Sequence, residues 1–309
     1  MKVDVVFDGG GVKAIGLIGA ICCFENYGYE INRAAGTSAG AIIAALLSVG
    51  YTGKELKSIM LDMNYDDFFN KNRIYRKMNG INILKKSLNL FKDKGLYSSD
   101  NIEKYIKNLI LSKSNNTFYD VYEKGESKLK IIASDVTEKK IMILPDDLAK
   151  YGVEPRNFEI SQAVKMSISI PLYFKPVKFY HKEGCSYVVD GGILSNFPIW
   201  IFDNESTPVR PTIGFKLVDT NKDYSANRKM DFISYLFDIM GTMLDKNEEI
   251  YVKDKDAVRT VFIPTLGVKT TEFRISTDMK IKLFNSGYVS AEKFLKFWNF
   301  HKYIRDYCM

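Results

Sequence analysis

Histidine is scarce in this chain: His181 and His301 are the only two among 309 residues. Any chemistry that needs an imidazole must use one of these two positions. Cysteine is scarce as well. Cys22, Cys23, Cys185 and Cys308 fit no zinc-ligand spacing and suggest no disulfide framework. Cys22 and Cys23 stand in an apolar run, as packing residues do, and reduced thiols in a cytoplasmic protein are the expectation. The 8 prolines form no proline-rich linker, and no low-complexity tract or internal repeat interrupts the chain. A single domain over 1–309, with room for a long insertion, is the expected organisation. The opening residues, Met-Lys-Val-Asp-Val-Val-Phe-Asp, are broken by charge and do not make the apolar core of a secretory signal. Charge is absent from Ala34 to Gly53, which is long enough to raise the question of a membrane span. The glycines and hydroxyl residues in that stretch argue for a buried helix of a globular core instead.

The apolar fraction, 46%, is ordinary for a globular protein with a substantial core. Lys and Arg number 44 against 37 Asp and Glu, a net charge of +7. This mild bias suits an anionic surface as partner, and no nucleic-acid recognition motif accompanies it. Residues 71–94 carry eight Lys/Arg against Asp93 alone, interleaved with Ile74, Tyr75, Met78, Ile81, Ile83, Leu84, Leu88, Leu90 and Phe91. Such a pattern fits peripheral contact with an anionic bilayer surface, and equally a solvated insertion packed on the body.

The order of elements points to an α/β protein. Valine-rich Lys2–Phe7 reads as a strand that ends at Asp8-Gly9-Gly10-Gly11, and an apolar helix follows to about Tyr27. A short strand near Ile31–Ala35 leads into a second buried helix. Thr52 and Glu55 form a capping-box pattern at the head of a helix reaching about Asn64. Ser99 or Asp100 caps a helix through Leu111. Lys128–Ser134 is a strand, Glu159–Met166 a helix, and Ser186–Asp190, Thr212–Leu217 and Thr260–Ile263 are strands. Helices are expected over Met230–Tyr251 and Asp278–Tyr303. This order predicts a central, mostly parallel sheet with helices on both faces, a three-layer α/β/α arrangement.

Three clusters carry chemical potential. Gly9-Gly10-Gly11-Val12-Lys13 sits between a strand and a helix, where backbone N–H groups can hold a phosphate or a developing oxyanion. A dinucleotide fingerprint is incomplete, since Ala14 stands where its last glycine would be, and no P-loop pattern occurs. Gly36-Thr37-Ser38-Ala39-Gly40 has the form of a nucleophile elbow, with Ser38 at the tip of a strand-to-helix turn. Asp190, followed by Gly191 and Gly192, closes an apolar strand. It can serve as a carboxylate partner to Ser38 or as ordinary Asp-Gly turn chemistry. The order Ser38, Asp190, His301 matches that of α/β-hydrolases, yet several strands precede the elbow in those enzymes and only 37 residues do here. His301 lies on a terminal helix and His181 in a loop or strand end. With both set aside, the base for Ser38 is a carboxylate.

These clusters, in this order, resemble the patatin-like phospholipases. Asp8–Lys13 matches the family's glycine-rich oxyanion loop with its basic residue, Gly36–Gly40 its elbow, and Asp190-Gly191-Gly192 its last motif. Lys94-Gly95-Leu96-Tyr97, Ile132–Thr137, Ala163–Pro171 and Asn196-Phe197-Pro198 are similar to further segments. The likeness runs from residue 2 to about 200, and Ala14 in place of glycine is its one departure. The resemblance implies a patatin-like fold and a hydrolase of fatty acyl esters of phospholipids or lysophospholipids, needing no cofactor and no catalytic metal. It implies Ser38 as nucleophile and Asp190 as base. Backbone N–H groups of Gly10, Gly11 and Ala39 form the oxyanion hole, with Gly9, Gly36, Gly40, Gly191 and Gly192 in support. Lys13 falls at the basic position, for loop support or headgroup attraction. Other readings remain open at this level: a broad lipid esterase or acyltransferase, a membrane-lipid binding module with weak turnover, and a nucleotide-binding protein using the glycine loop.

Overall fold

The computed structural model describes residues 1–63, 94–204, 207–219, 254–270 and 274–308, with residues 239, 241–243 and 272. The basic segment 71–94 lies outside the described residues except for Lys94. So does the helix expected over 230–251, except for residues 239 and 241–243.

The chain opens with strand β1 (Lys2–Phe7), buried from Val3 onward. The glycine loop follows, then a tight 3-10 turn over Gly11–Ala14 and helix α1 (Ile15–Asn26). Strand β2 (Glu30–Thr37) leads through Ser38 into helix α2 (Ala39–Ser48). Helix α3 (Gly53–Asp62) starts at the predicted capping box. Thr52 Oγ1 accepts from the Glu55 N–H, and the Glu55 carboxylate accepts from the Thr52 N–H. Strand β3 (Gly95–Tyr97) precedes helix α4 (Asp100–Leu111). Ser99 occupies the cap position there, but its hydroxyl pairs with Ser169 Oγ at 3.1 Å rather than with the helix. A small hairpin, β4 (Tyr122–Glu123) and β5 (Glu126–Ser127), leads into β6 (Leu129–Asp135) and β7 (Lys140–Leu144). Helix α5 (Ile160–Ile168) is followed by β8 (Leu172–Phe174), β9 (Val177–His181) and β10 (Gly184–Asp190). Strand β11 (Thr212–Val218), the short helix α6 (Asp254–Ala257), strand β12 (Thr260–Pro264) and helices α7 (Thr277–Phe297) and α8 (Phe300–Tyr307) complete the described chain.

Among the described residues eight strands make one sheet, with β12, β11, β1, β2 and β6 side by side and parallel. Strands β7 and β10 join β6 antiparallel, and β9 pairs with β10. The fold is three-layer α/β/α with a mostly parallel sheet, as the element order predicts. One face buries its core against α1, α2, α4, α5 and α7, where Phe7 stacks on Phe215 at 5.4 Å and Phe24 meets Phe215 edge-on at 5.1 Å. Helix α1 is buried nearly all round because α7 lies hard against its outer side. A Cβ on Gly19 would sit 1.9 Å from Phe284 O, and one on Gly287 would sit 1.7 Å from Gly16 O. On the opposite face Ile199 and Phe202 pack against Val6 and Ala35.

Three strands share β6, and their registers decide how. Strand β7 runs along Ile131–Asp135 on one edge. On the other edge β2 takes Leu129–Ile132 and β10 takes Ala133–Asp135. Strand β2 runs with β6 and β10 runs against it. Their C-terminal ends therefore meet head to head, with Thr37 opposite Ile132 and Asp190 opposite Ala133.

The structure corrects one boundary. The sequence predicts a single helix over Asp278–Tyr303, but the chain leaves helical geometry at Trp298 and Asn299. Asn299 then starts α8 as a side-chain cap, accepting from the Lys302 N–H at 2.9 Å. A capping asparagine outweighs a hydrophobic periodicity that continues through it.

Candidate active site

The head-to-head meeting of β2 and β10 brings Ser38 and Asp190 together. Ser38 Oγ donates to Asp190 Oδ2 at 2.7 Å across 152 residues of sequence. Ser38 has φ 54° and ψ −124°, a backbone state rare for a residue with a side chain. The strand-to-helix turn holds it there because its flanking glycines allow very close contact. A Cβ on Gly36 would lie 2.4 Å from the Gly40 carbonyl group, and one on Gly40 would lie 2.5 Å from Asp8 O. Ser167 also fixes the turn. Its hydroxyl donates to Ile132 O at 2.5 Å and so is left as the acceptor for the Ser38 N–H at 2.9 Å.

Asp190 is fully buried. Its Oδ1 accepts from the Gly192 N–H at 2.8 Å, so each carboxylate oxygen has one donor. Burial pushes its pKa up to about 7, against the lowering effect of these two hydrogen bonds. A carboxylate with that affinity can take and return a proton near neutral pH, which an ordinary aspartate cannot do well. Gly191 must be glycine for the close approach, since a Cβ would fall 2.3 Å from Ile132 O.

The glycine loop lies beside Ser38. A Cβ on Gly9 would stand 3.3 Å from Ser38 Cβ and 2.2 Å from Asn196 Oδ1. Gly11 has φ +54°, and Thr270 O closes over it. The Gly9 N–H is engaged by Asn196 O at 3.2 Å. The N–H groups of Gly10, Gly11 and Ala39 have no acceptor among the described residues. Lys13 is buried, and its N–H donates to Gly10 O at 3.1 Å. Its charge acts on Asp8, whose carboxyl burial pushes up to about 6 while Lys216 and Lys13 pull it back.

Two pockets meet at Ser38. The smaller is lined by Gly9, Gly10, Ser38, Ile170, Asp190, Asn196 and Thr270. The larger holds about 680 Å³ of empty space, part of it open to solvent, and is almost wholly apolar. Gly11, Ser38 and Ala39 form one end, and Ile42, Met60, Met63, Tyr105, Ile106 and Phe174 are among its walls. A narrow pocket that brings Ser38, Asp190 and Asn196 together beside a larger apolar one, with a hydroxyl at the boundary, fits a molecule with an ester joined to a hydrocarbon chain.

Neither histidine belongs to this site. His181 ends β9 and pairs with Gly184, at the opposite end of β10 from Asp190. Six residue steps of strand separate the two ends, roughly 20 Å. His181 packs on Tyr151 and Phe179, and His301 is exposed on α8. Ser167, Asn196 and Thr270 belong to the site by geometry, and local sequence pattern gave none of them a role. Ser167 and Asn196 do fall within segments that carry the family resemblance. Among the described residues no cluster of His, Cys, Asp and Glu could hold a metal ion.

A glycine loop and a strained serine turn at the C-terminal edge of a mostly parallel sheet define the class: an α/β protein whose strand-to-helix turn has the geometry of an elbow. The family model for patatin-like phospholipases matches residues 5–203, and the chain belongs to that family of lipid hydrolases. It is 37% identical over 304 residues to the uncharacterized protein YqhO of Bacillus subtilis strain 168, covering 97% of this chain and 100% of that one. It is 30% identical over 200 residues to the probable lipid hydrolase 463L of Invertebrate iridescent virus 6, covering 63% of this chain and 61% of the relative. The crystal structure of VipD from Legionella pneumophila shares the fold, with a TM-score of 0.55 at 16% identity. That match covers 95% of this chain and 66% of VipD.

Proposed function

We propose that this protein hydrolyses fatty acyl esters of phospholipids or lysophospholipids through Ser38 and Asp190. The observation that carries the reading is the 2.7 Å hydrogen bond from Ser38 Oγ to a buried carboxylate at the mouth of an apolar pocket. Ser38 Oγ attacks the ester carbonyl carbon as Asp190 takes its proton. The carbonyl oxygen becomes an oxyanion, held by the N–H groups of Gly10, Gly11 and Ala39. Removing one such donor typically costs about 2.7–4 kcal/mol of barrier. As the tetrahedral intermediate collapses, the C–O bond breaks and the leaving alcohol takes the proton from Asp190. The acyl group remains on Ser38 with its chain in the larger pocket. Water enters and its oxygen attacks the acyl carbon as Asp190 takes its proton; the bond from that carbon to Ser38 Oγ then breaks, Oγ takes the proton back from Asp190, and the fatty acid leaves.

The α3 and α4 walls of the pocket support an acyl chain rather than a headgroup. Met60, Met63, Ile102 and Ile106 offer dispersion contacts and no charge, which suits a chain worth about 0.8 kcal/mol per buried CH₂. Peripheral contact with an anionic lipid surface is the role we assign to the basic segment 71–94, on its sequence alone. The direct test is hydrolysis of a medium-chain p-nitrophenyl ester and of a phospholipid vesicle by the wild type and by Ser38→Ala. The variant is expected to fall to the uncatalysed rate on both. Hydrolysis by Ser38→Ala at the wild-type rate would remove Ser38 from the chemistry.

A further inference from the structure

Behind the glycine loop lies a polar group of residues that the proposed reaction does not use. Asp8 is fully buried where β1 ends. Its Oδ2 accepts from the Leu217 N–H at 3.0 Å, and its Oδ1 accepts from Asn196 Nδ2 at 2.8 Å. Asn196 Nδ2 donates a second, longer bond to Gly9 O at 3.3 Å, and Asn196 O accepts from the Gly9 N–H at 3.2 Å. Gly9 is thus held at both its N–H and its carbonyl by one residue. Leu217, fixed through Asp8, fills the space behind Gly10, where a Cβ would come within 2.3 Å of Leu217 Cδ1. A buried carboxylate with Lys13 and Lys216 near it is costly to keep. A core built only for stability would do as well with an apolar residue there.

We infer that Asn196, anchored on Asp8, is a positioning residue that sets where the glycine loop presents its N–H groups to the oxygen of the reacting ester. Asn196 stands six residues after Asp190 on the same chain. It therefore ties the loop to the segment that carries the proposed base. A shift of Gly9–Gly11 against Ser38 would leave substrate binding in the apolar pocket intact. It would misplace the donors by a fraction of an ångström, where the transition state is sensitive to it. The inference rests on the proposed chemistry at Ser38 for the identity of the reaction, but not for the geometry of the clamp.

The test uses Asn196→Ala and Asp8→Asn in the full-length protein. Three readouts are followed: kcat and KM on a fatty p-nitrophenyl ester, thermal unfolding, and inhibition by a fatty trifluoromethyl ketone. The ketone adds to a serine Oγ and places a tetrahedral oxyanion in the site, so its affinity follows transition-state binding. Asn196→Ala is expected to lower kcat by about 10–100-fold with KM within about two-fold, and to weaken the ketone by a matching factor. Asp8→Asn keeps an acceptor for Leu217 and removes the buried charge, so its fold is retained even where Asn196→Ala loses stability. Asn196 must then either lose its acceptor or turn over and release Gly9 O, and a smaller loss of the same kind follows. The inference is overturned if a folded Asn196→Ala or Asp8→Asn keeps wild-type kcat and ketone affinity. It is also overturned if KM alone rises. Loss of the proposed chemistry itself would show differently, as Ser38→Ala that still hydrolyses the ester.

Discussion

In the proposed mechanism Ser38 and Asp190 form a two-residue device whose members need opposite treatment. Ser38 must face a pocket, and a strained turn holds it where two pockets meet, whereas Asp190 requires burial, which moves its proton affinity to about 7. The base is active as the carboxylate, so turnover should rise about tenfold per pH unit below 7 and level off above it. A rate profile flat from pH 5 to pH 8 would contradict this assignment. Asp190→Asn keeps the shape and loses the base, and a drop of about 10²–10⁴-fold in kcat is expected at pH 8. At the same scale, local patterns marked Ser38, Asp190 and the three loop glycines as candidates, Asp190 beside the alternative of an ordinary Asp-Gly turn that only the family resemblance weighed against. Asn196 and Ser167 were not. Asn196 acts on Asp8 across 188 residues, and Ser167 acts on Ser38 across 129. No local pattern encodes such pairings.

At the scale of elements, the turn between β2 and α2 depends on contacts that leave no space. Gly40→Ala would place a methyl group 2.5 Å from Asp8 O and 2.8 Å from Phe7 O, both of them backbone atoms that cannot step aside. The expected cost is about 1–3 kcal/mol of stability, with loss of activity because Ser38 moves with the turn. The measurement is urea unfolding beside ester hydrolysis, and a variant with wild-type stability and activity would show the turn to be tolerant. The capping box of α3 offers the contrast. Thr52→Ala should cost about 1 kcal/mol in the same unfolding experiment and leave kcat unchanged, since the cap is at the far end of α3 from pocket residue Met60. The types of β1, α1, β2, α2, α3, α4, β6, α5, β10, β11 and β12 were predicted, whereas β3, β4, β5, β7, β8 and β9 were not. The head-to-head arrangement of β2 and β10 was not, because register along a shared neighbour is a property of three strands at once. The break between α7 and α8 was missed for a smaller reason: Asn299 is a cap only if the preceding residue leaves the helix.

For the whole molecule, burying two carboxylates beside the site makes stability depend on pH in an uncommon direction. Asp8 and Asp190 bind protons more tightly in the folded chain, at about 6 and about 7, than in the unfolded one. Their contribution is complete below the unfolded value near 4 and is lost as the pH rises to the folded values. Other carboxylates act the opposite way; Asp100 is held low by Lys165. The comparison that isolates the effect is Asp190→Asn against wild type. The variant should gain relative stability between pH 5 and pH 8, on the order of 2 kcal/mol, in chemical denaturation at the two pH values. No change with pH would mean that Asp190 is already ionised at pH 5. The site also draws on chain beyond the family match at residue 203: Leu217 backs Gly10, and Thr270 lines the smaller pocket and covers Gly11. The C-terminal third is part of the site and not an appendage to it.

The central claim is that a carboxylate, and no imidazole, activates Ser38. The most direct measurement is the rate at which a fatty-chain fluorophosphonate labels Ser38 in wild type and in Asp190→Asn at pH 8. Phosphonylation needs the serine proton removed but needs no deacylation, so it reports on activation alone. Labelling is expected to be slower by about 10²-fold or more in Asp190→Asn, with the label mapped to Ser38 in wild type. Labelling of Asp190→Asn at the wild-type rate would contradict it.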